Sequence, residues 1–115
     1  MPRFALLEHT GHPDDPAGRH YDLLLEEGDA CRTWRLAEIP VAGGGPVAAV
    51  PLPPHRLAWL ELEAGEVSGG RGFARRVDAG TYATLDGIHV DLAGTQLSGR
   101  LRLESAETGW RATLD

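Results

Sequence analysis

The chain has 115 residues, enough for one domain around one core. Hydrophobic residues make up 42% of it, which excludes wholesale disorder. The 17 acidic residues against 11 basic ones give a formal net charge of −6, which excludes a protein that coats nucleic acid through a broad basic field but leaves room for a local basic groove.

In chain order, glycines and prolines interrupt the sequence every few residues, and the runs between them suit strands. The first runs predict strands over Phe4–His9 and His20–Glu26. "LEEGDACRTW" predicts a hairpin that turns around Glu27–Asp29 and returns over Arg32–Ala37. The stretch "PVAGGGPVAAVPLPP", Pro40–Pro54, reads as loop holding one short strand, Val47–Pro51. It is not a domain linker, because neither flanking piece could bury a core alone. Further strands are expected over Leu57–Glu63, Gly72–Val77, Thr81–Leu85, Ile88–Leu92 and Gln96–Glu104, and "LESAETGW" predicts a hairpin into Trp110–Leu114. Turn signals at this spacing predict an all-β domain, residues 1–115, of mostly antiparallel strands. A small closed or nearly closed barrel is the expected form, since closure removes unpaired edges.

Cys31 is the only cysteine, so no internal disulfide can form and a reducing cytoplasm is the expected compartment. No apolar run approaches the roughly 20 residues that cross a bilayer, so no membrane is expected. The opening "MPRFALLEHTGH" lacks the layout of a signal peptide.

The chemistry concentrates between Glu8 and Asp29, in "EHTGHPDDPAGRHYDLLLEEGD". Side chains alternate faces along a strand, so His20, Asp22, Leu24 and Glu26 share one face and Tyr21, Leu23 and Leu25 the other. The second set is apolar and aromatic and should face the core. The first set opens with an imidazole beside a carboxylate. If the strand ending at His9 is its neighbour, His9, His20 and Asp22 form a set of two imidazoles and one carboxylate that suits a divalent ion. Manganese, zinc and iron all fit that set. A surface hydrogen bond has the same His-x-Asp signature, and "HVD" at His89–Asp91 repeats the spacing without a further histidine nearby.

The segments "RFALLEH", "RHYDLLLEEGDACRTWRLAEIP" and "PPHRLAWLELEAGEVSGGRGFARRVDAGTY", in that order, resemble the 3′-phosphoesterase domain of bacterial DNA ligase D. The likeness runs from about Arg3 to Tyr82. It implies a manganese-binding β-barrel that processes DNA 3′ ends, removing a terminal ribonucleoside or a 3′-phosphate, with zinc as the alternative ion. It also implies a DNA-repair ligase or polymerase as partner. The family's metal ligands match His9, His20 and Asp22, and its phosphate-contacting histidine matches His55. The resemblance therefore assigns catalysis to Asp22 and His55. Two positions depart from the family. Leu24 stands where an arginine grips the phosphate, and Trp59 stands where a tyrosine supplies a hydroxyl. Leu24 should project toward the ligand pocket, and an arginine there should restore the grip. The segment from His9 to His20 is longer than the family's and adds His12, Asp14 and Asp15.

The glycine-rich "GGRGFARR" places Arg71, Arg75 and Arg76 around a turn that could meet a phosphate backbone, or simply lead into a solvated strand. Trp34 and Trp110 are expected as core or rim anchors, and Trp59, on a strand face with His55, as a platform for a nucleobase. Arg19, Arg35 and Arg71 are the arginines that could replace the missing grip. The expected function is thus a metal-dependent phosphoesterase of nucleic-acid 3′ ends, with a catalytically impaired end-binding or metal-binding module as the alternative.

Overall fold

The structure is a computed structural model describing residues 1–115. Nine strands follow one another: β1 Arg3–Thr10, β2 Arg19–Glu27, β3 Ala30–Leu36, β4 Val47–Arg56, β5 Ala64–Glu66, β6 Phe73–Thr84, β7 Val90–Ala93, β8 Ser98–Ala106 and β9 Gly109–Leu114. There is no α-helix, only a 3₁₀ turn over Leu57–Glu61. No helix is long and apolar enough to cross a membrane.

All strand pairs are antiparallel, in the order β1-β2-β3-β4-β9-β8-β7-β6, and β6 pairs back onto β1. The ring closes as an eight-stranded barrel, with β5 attached outside it along β6. Both predicted hairpins are present, β2–β3 through Gly28–Asp29 and β8–β9 through Glu107–Thr108.

The alternation read from the sequence decides what fills the barrel. Phe4 and Leu6 of β1, Tyr21, Leu23 and Leu25 of β2, and Trp34 and Leu36 of β3 point inward with partners from the other staves. Their odd-even counterparts make a second, smaller cluster on the outer wall. Ala5, Leu7, Leu24 and Cys31 pack there under Leu60 of the 3₁₀ turn. Strand β2 is therefore buried on both faces from His20 to Leu25.

Beyond shifts of one or two residues, three spans differ from the sequence reading. The strand expected over Leu57–Glu63 is instead the 3₁₀ turn followed by the short β5. Leu57 and Leu60 are three apart, which places them on one side of a three-residue turn, and both pack against the outer cluster. The strands expected over Gly72–Val77 and Thr81–Leu85 are one continuous β6, irregular opposite Leu6 and Leu7. Strand β4 continues to Arg56 through Pro51, Pro53 and Pro54. Beyond Ala49 it has β3 on one side only, since its pairing with β9 covers Val47–Ala49. Proline tolerates such an edge because it has no N–H to leave unpaired.

Candidate metal centre

The centre is built on the outer wall, on the face of β1 and β2 that turns away from the barrel interior. His9 and His20 stand opposite each other in the β1–β2 ladder, with ring centroids 4.8 Å apart. Asp22 follows two residues along the same face. His9 Nδ1 lies 3.7 Å from Asp22 Oδ2, and His20 Nε2 lies 3.5 Å from Asp22 Oδ1. One ligating atom from each of the three residues lies within 4.8 Å of the others. Two ligands on one ion, each about 2.0–2.3 Å from it, sit roughly 3–4 Å apart, which is the spacing of each histidine from Asp22, so the group could hold a metal ion once its widest pair closes slightly.

Hydrogen bonds behind the rings fix which nitrogen faces forward. His9 Nε2 lies 2.6 Å from the carbonyl oxygen of Arg71, an acceptor, so Nε2 carries the proton and Nδ1 presents its lone pair. His20 Nδ1 lies 2.9 Å from Asp15 Oδ2, which likewise leaves Nε2 free. A carboxylate or carbonyl on the far nitrogen is the usual support of a metal-binding histidine. His20 Nε2 and Asp22 Oδ1 are both buried without a hydrogen-bond partner. Each such group costs on the order of 1–3 kcal/mol when left unmet, which a cation between them would relieve.

Burial pulls the His20 pKa down, but the Asp22 and Asp15 carboxylates outweigh it and the net shift is upward from 6.5. The hydrogen bond from His20 holds Asp15 below the usual 3.8.

A cavity of about 290 Å³ opens over His9 and Asp22, with His20 buried behind them. His9, His12, Asp22, Arg35, His55 and Trp59 line it, with Leu7, Val67 and Ala74 among its apolar walls. His12 stands edge-on to His9 at 5.3 Å. The Nδ1 of His55 donates to the Pro53 carbonyl at 3.1 Å, leaving its Nε2 without a protein partner. Trp59 lies on the 3₁₀ turn rather than on the expected strand, yet its ring still meets His55 edge-on at 6.1 Å. A second cavity, about 400 Å³, lies beside the splayed end of β4 between Trp34 and Trp110. It is larger but contains no group of metal-ligating side chains.

The arginines named from the sequence separate. Arg71 lines the cavity, but its guanidinium is held by Ser68 through Nε to the carbonyl at 2.7 Å and Nη2 to Oγ at 3.2 Å. Arg75 pairs with Glu8 at 3.3 Å, and Arg76 bonds the Leu60 carbonyl at 3.4 Å and nears Glu63 at 3.8 Å. Neither lines the cavity. Leu24 corrects the expectation placed on it. It shares the strand face with His20 and Asp22 but is wholly buried in the outer cluster with Leu7, Cys31 and Leu60, and it does not reach the cavity. His89 of the "HVD" repeat accepts a bond from the Leu103 N–H at 3.1 Å and takes no part in a metal group.

The sequence reading assigned no role to Asp15, and only strand register could have shown that Arg35 sits across from Asp22. Gly72 was missed as well. Its φ is +91°, and a Cβ there would strike the Thr10 carbonyl, so only glycine lets the Arg71 carbonyl approach His9. No family model matches the chain, and no curated protein matches it.

Proposed function

We propose that this protein is a divalent-metal-dependent phosphoesterase that trims the 3′ end of a nucleic acid, with DNA as the substrate and manganese, or else zinc, as the ion. The observation that carries the reading is the set of three buried ligands, two of them rings oriented from behind, of which His9 and Asp22 line a cavity that also contains His55. His9 Nδ1, His20 Nε2 and an Asp22 oxygen would hold the ion. When bound, it supplies Lewis-acid polarisation of a phosphoryl oxygen.

This chain's residues do the rest. The apolar walls from Leu7, Val67 and Ala74 thin out water around the reacting group. In hydrolysis of a 3′-phosphomonoester, a water oxygen bonds to phosphorus and the bond from phosphorus to the 3′ oxygen breaks. The products are a 3′-hydroxyl and inorganic phosphate. The 3′ oxygen leaves with a proton, which His55 Nε2 can donate when protonated, and the proton that the attacking water loses passes to the released phosphate and from it back to His55. Trp59 offers a ring for the terminal sugar or base to lie against. Removal of a 3′-ribonucleoside uses the same grip one linkage further in. An end-processing enzyme of this kind works in the reducing cytoplasm beside a repair ligase or polymerase.

The test is metal binding by calorimetry together with manganese-dependent turnover of oligonucleotides ending in a 3′-phosphate or a 3′-ribonucleotide. Wild type should bind about one ion and turn over, while Asp22→Ala does neither. One observation favours a second reading, an end-binding module without hydrolysis. Trp59 brings no hydroxyl to the cavity, so it can stack on a ligand but cannot bond a phosphoryl oxygen through an O–H. Metal-dependent oligonucleotide binding without turnover would select that module.

A further inference from the structure

We infer that Arg35 is the anion-gripping residue of this cavity: its guanidinium binds a phosphoryl oxygen of the ligand that the metal group receives. This deepens the phosphoesterase reading and rests on the same cavity.

The chain's basic residues are eleven arginines, with no lysine. Eight have side-chain polar partners: Arg3, Arg71 and Arg111 by hydrogen bonds, and Arg19, Arg75, Arg76, Arg100 and Arg102 by ion pairs. Arg32, Arg35 and Arg56 have none, and Arg32 and Arg56 lie exposed, where water serves them. Arg35 alone is half-buried with no carboxylate at ion-pair distance and no hydrogen-bond acceptor, and its Nε is sealed from solvent without a partner. A guanidinium half removed from water and left unpaired is costly unless something meets it.

Its place says what that is. Arg35 stands directly across from Asp22 in the β2–β3 ladder and lines the cavity with His9 and His55. Its charge reaches Asp15 and His20. Two neutral imidazoles and one carboxylate leave a divalent ion with unbalanced positive charge, and Arg35 adds another positive charge beside it. A planar fork of N–H donors next to a metal group is the arrangement that binds phosphate in preference to neutral ligands. The grip that an arginine on β2 would supply is thus supplied from β3, one stave over, while position 24 packs the wall.

The test titrates full-length wild type, Arg35→Gln and Arg35→Lys first with Mn²⁺ alone and then with inorganic phosphate, with and without Mn²⁺, by calorimetry. Near-ultraviolet circular dichroism checks the fold of each. Arg35→Gln should bind Mn²⁺ within about threefold of wild type and lose about ten- to hundredfold in phosphate affinity, the range of a charged hydrogen bond. Arg35→Lys should fall between, keeping the charge but losing the fork. Phosphate affinity within twofold of wild type in Arg35→Gln overturns the inference. So does wild type that binds Mn²⁺ but no phosphate, or Arg35→Gln that loses Mn²⁺ and phosphate together. If Arg35→Gln does not fold, an Arg35→Lys indistinguishable from wild type toward phosphate overturns it. If wild type binds no metal, the phosphoesterase reading fails by itself. Arg35 is then judged on phosphate alone, where equal binding by wild type and Arg35→Gln, or none by either, overturns it.

Discussion

Asp15 is not one of the three candidate ligands, yet it orients the His20 ring by accepting from Nδ1 at 2.9 Å. Asp15→Asn should therefore weaken Mn²⁺ binding by about 10–100-fold, the usual loss when such a support is removed, with the strand fold intact. Calorimetric affinity beside an unchanged far-ultraviolet spectrum checks it. The same pair makes a pH prediction for protein kept in EDTA. His20 is raised above 6.5, so the stability it contributes is complete below that value and is lost as pH rises through its raised pKa. Asp15 is lowered below 3.8, so its contribution is complete above that value and is lost as pH falls through the lowered pKa. Wild type should thus exceed Asp15→Asn most between pH 3.8 and 6.5, and urea melts at pH 5.5 and 8.5 should show the gap shrinking at the higher pH. Leu24 gives an opposite kind of test. An arginine there would bury a charge in the outer cluster, so Leu24→Arg should cost on the order of 3 kcal/mol or more and restore no phosphate grip. Its thermal midpoint and phosphate affinity read this directly. Strand parity put His20 and Asp22 on one face, while His9 needed the further expectation that β1 pairs with β2, which the structure shows. The fate of Leu24 was not legible, because parity says which side a residue faces and not what later lies on top of it.

At the scale of elements, the lid over the outer wall is a 3₁₀ turn rather than a stave of the barrel. That lid covers Cys31, which is fully buried and whose thiol burial pushes upward in pKa. Iodoacetamide should label it slowly in the native state. The labelling rate should rise with urea less steeply than global unfolding does, since lifting the Leu57–Glu61 turn exposes the thiol while the barrel stays closed. A labelling slope equal to the global one would mean that lid and barrel open together. Most staves were readable because one face of each is apolar. The lid was not, since "RLAWLE" carries an apolar pair three apart that strand alternation also tolerates. Asp78 was equally opaque. Its carboxylate accepts the N–H groups of Ala79, Thr95, Gln96 and Leu97, pinning the β7–β8 turn, a task no local pattern announces.

As a whole, the molecule has a radius of gyration of 13.3 Å, as compact as about 13 Å expected for a chain this long. The all-β barrel expected from turn spacing is what forms, because eight half-apolar staves can hide every inward face only by closing on one another. Closure leaves the His9, His20 and Asp22 group on the outer wall, where its side chains can change without disturbing Phe4, Leu23 or Leu101 within. The ring is imperfect at one seam, where β4 leaves β9 after Ala49. A bare stave is a template on which a second copy can lengthen the sheet, and repetition of that step makes fibres. Pro51, Pro53 and Pro54 deny such a visitor the donors it needs, although exposed Val50 would otherwise invite it. Replacing all three with threonine should leave the ligands in place but make concentrated solutions scatter light and bind thioflavin. The proline run that looked like loop from its composition thus acts as the molecule's guard against polymerisation.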